Sequence, residues 1–250
     1  MEARNVREMV ASLKPIMPFA SGHSRAQLAI IFLAAGILLD GIAVVWGFFE
    51  IALLSRAMAG QTVAEAEAAA SDSQGLFIAL LQMVVYVVTA VLFLIWIYRA
   101  HQNLPALGAL GLKYSPGWAV GWFFVPCLNL IRPFQVVTEI WKASSPEMDS
   151  KDGTSWQYAT TSPIIAFWWG AWIVSNILGR LDFRMSFNAE TADALITAIQ
   201  VSILSCIVSA IAAVLAIIMI SQMDARQEEK NRRLMASTEP PHGLAVGQGL

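Results

Sequence analysis

Charge is what this chain has least of: Asp, Glu, Lys and Arg make up 14% of its 250 residues, against 57% hydrophobic. That balance excludes an ordinary water-soluble core. Cysteine is nearly missing as well. Cys127 and Cys206 both fall inside hydrophobic runs, where small buried apolar behaviour is expected and a disulfide framework is not supported. His23, His101 and His242 stand singly, so neither a zinc site nor a helical metalloprotease pair has support. The sequence also lacks an internal repeat, a nucleophile elbow, a Walker loop and an intramembrane protease pair. Neither a metal nor another cofactor is expected, and no nucleic-acid partner.

What is present is a series of apolar runs about 20 residues long or longer, the length a helix needs to cross a bilayer. The expected fold is therefore all-α, a polytopic helical membrane protein. Spans are predicted at about residues 27–54, 76–98, 163–180 and 194–223. Residues 1–26 carry Arg4, Arg7, Lys14 and Arg25, with Val6, Val10, Leu13 and Met17 at helical spacing. They read either as a basic amphipathic arm on an anionic membrane surface or as a solvated tail. The first apolar run is too long for a signal-peptide core, so no cleavable signal is expected. Residues 55–75 are rich in Ala and Glu, with Arg56 the lone cation, and read as a solvated helical loop. Span two ends in Trp96 and Tyr98, read as an interfacial aromatic belt. Residues 181–193 read as a short loop of mixed charge. On span four, Ser205, Ser209 and Ala213 make a small-residue ridge suited to close helix contact. Residues 224–250 read as a cytoplasmic tail, basic at Arg226, Lys230, Arg232 and Arg233 and disordered toward its end.

One stretch fits neither a span nor a solvated loop. Residues 117–144, GWAVGWFFVPCLNLIRPFQVVTEIWKAS, are too apolar for solvent and too polar for lipid. Pro126 removes a backbone donor, Asn129 brings an amide, and Arg132-Pro133 sets a full charge beside a second break. Arg132, Gln135 and Glu139 then share one helical face. Helix from Gly117 to Ile131 would cover only about 22 Å, short of a roughly 30 Å hydrocarbon core. Basic residues mark the N-terminal region, the link around Arg99 and Lys113, and the stretch after Met223, which places both termini in the cytoplasm. An even number of crossings follows. Four spans fit if this central segment is a re-entrant or interfacial broken helix; the alternative is five spans, with a Pro-kinked crossing reaching Trp141.

The order GWAVGWFFVP, NL, RPFQ and EIWKAS, with YRAHQN before it and WWGAW after it, resembles the bacterial multi-pass membrane proteins grouped as a domain of unknown function, DUF4328. The resemblance covers roughly Leu76 to Met223 and leaves the N-terminal arm and the 55–75 loop outside. It implies a protein of the bacterial cytoplasmic membrane, and it implies no reaction and no site residue.

The candidate functional residues come from the cost of burying polarity. Asp40 sits near the middle of span one, where a carboxylate costs about 2.5–3.5 kcal/mol on insertion scales unless it is paired, protonated or turned to the bundle interior. With Arg99, Asn103, Asn129, Arg132, Gln135 and Glu139 it forms the candidate polar centre. Arg132 could pair with Asp40, share a network with Gln135 and Glu139, or snorkel to headgroups while Asp40 is protonated against span three. Trp118, Trp122, Trp141, Trp168 and Trp172 are the candidate interfacial aromatic anchors. Three function classes follow. The leading one is a non-enzymatic scaffold or regulatory protein whose partners are membrane lipids and a second copy or another membrane protein. Another is a small-solute or ion transporter using the broken segment. The third is a lipid-modifying enzyme with Glu139, Asp40 or His101 as acid or base.

Overall fold

Long apolar runs without internal proline have one way to satisfy their backbone in lipid, which is helix. The computed structural model describes residues 18–148 and 153–238, and every regular element among them is helical. Four long helices result: α1 His23–Met58, α2 Glu65–Gln102, and later a pair that ends the described residues. Between α2 and that pair lie a short α3, Pro116–Gly121, a 3-10 turn, Leu128–Leu130, and α4, Arg132–Ala143. The ending pair is α5 Pro163–Phe187 and α6 Ala192–Thr238. The four long helices are each long and apolar enough to cross a membrane. The central segment is the broken helix expected, and the five-span alternative is set aside because α3 and α4, at 6 and 12 residues, are too short to cross.

Local chemistry sets the breaks. Gly60, at φ 75°, turns the chain out of α1, and Gln61 N–H closes on the Arg56 carbonyl at 3.1 Å. Ser115 and Ser162 cap α3 and α5, each followed by proline at the first helical position. Cys127, beside Pro126, takes a φ of 63°, an uncommon conformation for a residue with a side chain, and so reverses the chain at the tip of the central segment.

The helices pack as an arc in the order α2, α1, α6, α5. Gly47 lets α1 approach α6 closely, since a Cβ there would stand 2.9 Å from Ile203. The outer helices α2 and α5 are not packed along their lengths; they approach at one end, where Phe93 meets Trp168 with ring centroids 5.7 Å apart. The central segment lies at that same end, together with the start of α1 and the far end of α6, joined by His23 Nδ1 to Asp224 at 2.7 Å. The chain thus leaves α2 and enters α5 on one side, so the central segment does not cross.

Several boundaries differ from the sequence reading. Residues 65–75 belong to α2, leaving only a short turn at 59–64, and α5 runs on to Phe187 through most of the predicted 181–193 loop. The basic stretch after Met223 continues α6 as helix to Thr238, so α6 is 47 residues, about 70 Å. Most of the predicted amphipathic arm, residues 1–17, and the last twelve residues of the predicted tail lie outside the described residues. Trp96, read as part of an interfacial belt, is buried against the central segment's core.

Candidate functional site

The polar centre expected from the sequence divides into two places. The first is a sealed knot at the central-segment end. Glu139 on α4 is 7% exposed, and its Oε2 accepts the Lys113 backbone N–H at 2.7 Å. Its Oε1 faces the Tyr114 N–H at 3.3 Å and His101 Nε2 at 3.2 Å. A carboxylate can only accept, so the His101 proton sits on Nε2. His101 itself is 1% exposed, and its Nδ1 has no partner among the described residues. Tyr114 links this group to the next, donating its hydroxyl to Gln135 Oε1 at 2.7 Å.

Arg132 has its partners within the central segment and just before it. Its Nη1 donates to Gln135 Oε1 at 3.1 Å and lies 3.4 Å from the Tyr114 hydroxyl, with the guanidinium 5.4 Å from the Trp122 ring centre. The structure brings together Arg132, Gln135 and, through Tyr114, Glu139. It does not bring Arg132 to Asp40, which lies about 25 Å along α1 from His23. Arg99 and Asn103 fasten the residues just before α1 instead. Arg99 Nε and Asn103 Nδ2 both donate to the Ala20 carbonyl, at 3.1 and 3.0 Å. Asn129 is half-buried in the 3-10 turn, its backbone N–H donating to Val125 at 2.9 Å.

The stretch after Met223, expected as the basic start of a cytoplasmic tail, acts as a clamp on the central segment. Gln227 Nε2 donates to the Ala100 carbonyl at 2.8 Å and to Ser144 Oγ at 3.0 Å. Buried Lys230 donates to the Ala143 carbonyl at 2.8 Å, at the C-terminal end of α4 where unpaired carbonyls favour a cation. Arg226 lies 4.4 Å from the Trp141 ring centre, and Arg233 donates to the Pro146 carbonyl at 3.2 Å. Spacing of Gln227, Lys230 and Arg233 at three residues was the available signal, since it puts all three on one helical face.

The tryptophans divide in the same way. Trp118 is 53% exposed and pairs with half-buried Trp122, ring centroids 4.7 Å apart. Trp141 and Trp168, expected as interface anchors, are core residues at 6% and 4% exposure. Trp172 is half-buried and stacks on Trp169 at 4.7 Å. Trp169 ties α5 to the central segment through Nε1 to the Leu130 carbonyl at 3.0 Å.

The second place is a cleft between the unpacked walls of α2 and α5, with a volume of about 1080 Å³. Asp40 lines it, accepting from Gln82 Nε2 at 2.9 Å, with Ser209 of α6 within reach of the same carboxylate. Cys206 lies 3.8 Å from the same Gln82 nitrogen. Ser205, Ser209 and Ala213, read as a helix-contact ridge, form part of its back wall, and their small size leaves the space open. Phe93, Phe123 and Trp168 close the end nearest the central segment. Arg180 and Arg184 of α5 line the cleft, both exposed and without an acidic partner among the described residues. No group of three His, Cys, Asp or Glu side chains that could hold a metal occurs among the described residues.

No curated protein and no solved structure matches the chain. A family match spans residues 59–225, wider than the stretch carrying the sequence motifs, and takes in most of the 55–75 region expected to lie outside it. Glu139, Gln135 and Arg132 of the knot and three walls of the cleft fall within that match, and the chain belongs to the family described as domain of unknown function (DUF4328).

Proposed function

We propose that this is a non-enzymatic protein of the bacterial cytoplasmic membrane, with both termini in the cytoplasm, acting as a scaffold or regulatory interaction partner. The observation that carries the reading is the knot. Glu139, Gln135, Arg132, Gln227 and Lys230 are the groups a catalyst or carrier would turn toward a substrate, and here they bind other parts of the chain. A buried hydrogen-bonded network rigidifies and specifies an arrangement, which suits a presenting surface. The orientation is supported by the cations gathered at the central-segment end, among them Arg25, Arg99, Lys113, Lys230 and Arg233. The cleft favours a second reading, a carrier for a small solute, because it sets Asp40 and Gln82 within a span.

Reconstitution separates these. Proteoliposomes should show neither ion nor solute flux nor lipid turnover, while a photo-crosslinker at exposed Tyr158 should give a discrete adduct in native membranes. Flux abolished by Asp40→Asn would establish the carrier instead, and turnover of lipid would establish the enzyme. With Cys127 and Cys206 replaced, a cysteine placed near the C-terminus should be labelled only after the membrane is opened. Labelling of intact cells would reverse the orientation.

A further inference from the structure

The cleft has a built shape and an unbalanced charge, and together they identify an occupant. Its inner end is stopped by the rings of Phe93, Phe123 and Trp168. Its outer end carries Arg180 and Arg184, four residues apart and so on one face of α5. Asp182 between them is turned elsewhere, toward Ser186 and, on α6, Ser202. Asp40 is the one acid among the cleft's lining residues, so two guanidiniums outnumber it. Depth can be read from α6. The open flank of Gly179 meets Ser205 at 3.9 Å, and Ser205 stands one turn from Ser209, which reaches Asp40. Arg180 therefore stands about 7 Å beyond the level of Asp40, toward the α5–α6 connection, and Arg184 a further turn out. From Trp168 to Arg184 the cleft wall runs about 24 Å, enough for the hydrocarbon of one bilayer leaflet at about 15 Å with its headgroup beyond.

We propose that the cleft between α2 and α5 is a binding site for an anionic phospholipid, one acyl chain lying against α1 and α6 and the phosphate held by Arg180 and Arg184. Guanidinium forks suit phosphate oxygens. An open side toward the bilayer gives the chain a lateral entry, and the small back wall of Gly36, Ser205, Ser209 and Ala213 gives it room. The site goes beyond the scaffold reading and does not depend on it: a protein that failed as a scaffold would still hold the lipid.

Gly36 supplies the decisive variant. Gly36 lines the cleft and a Cβ there meets nothing within 4 Å, so the side chain of Gly36→Phe should project into the cleft and leave the fold in place. Full-length protein is extracted from vesicles of equal phosphatidylglycerol and phosphatidylcholine, and native mass spectrometry counts the retained lipid. The wild type should retain one phosphatidylglycerol in preference to phosphatidylcholine. The Arg180→Gln/Arg184→Gln pair should lower that preference about tenfold, the scale of one lost charged hydrogen bond. Gly36→Phe should remove the retained lipid while leaving the unfolding temperature unchanged. Loss of preference in the arginine pair with retention unchanged in Gly36→Phe would mean that the arginines attract bulk headgroups, and the cleft site is overturned. Loss in Gly36→Phe with no effect of the arginine pair would mean a neutral occupant, and the anionic assignment is overturned. Retention unchanged in both overturns the site altogether.

Discussion

The two ends of this molecule treat polar residues in opposite ways. At the central-segment end, groups from α2, the 113–114 link, α4 and α6 converge and bond to one another, so Glu139, Gln135 and Gln227 are spent on holding α2, α4 and α6 together. In the cleft, the helix walls stay apart, and Arg180 and Arg184 face open space. The contrast teaches that burial and function need not coincide. A buried polar group with all its partners rigidifies a fold, whereas a charge left without a partner near lipid is the one available to something that arrives.

The comparison is broken most sharply at Glu139. Glu139→Ala leaves two backbone N–H groups and His101 without their acceptor, and should cost about 3 kcal/mol in detergent unfolding. A loss below a third of that would mean that the knot is not a structural centre. Trp169→Phe keeps most of the ring and removes only the bond to the Leu130 carbonyl, so about 1 kcal/mol is expected, with hydrogen exchange rising chiefly in residues 126–132. Uniform loss of protection along all four long helices would show that this bond does not act locally. The smallest effect sharpens the separation itself. Asp40→Asn and Arg132→Gln belong to the two different regions, and in a double-mutant cycle their costs should add within about 0.5 kcal/mol. A larger coupling would join the cleft to the knot and undo the division between them.

The sequence by itself determined the number and nature of the long helices, the two breaks in the central segment and the family. These depend on local rules: an apolar run of bilayer length must satisfy its own backbone, Pro126 and Pro133 interrupt helix, and serine before proline starts it. It also marked Gln135 and Glu139 as costly to bury. What it could not fix was their partners, because His101 reaches Glu139 across 38 residues and Gln227 reaches Ala100 across 127. The same limit hid the cleft. Small residues at Gly36, Ser205, Ser209 and Ala213 are equally suited to tight packing and to an empty wall, and their spacing is identical in both cases. Only the tertiary structure decided between them, by packing α1 on α6 and α6 on α5 while leaving α2 and α5 apart. Which helix a face meets is set by the sum of all contacts in the bundle, and no local pattern carries that sum.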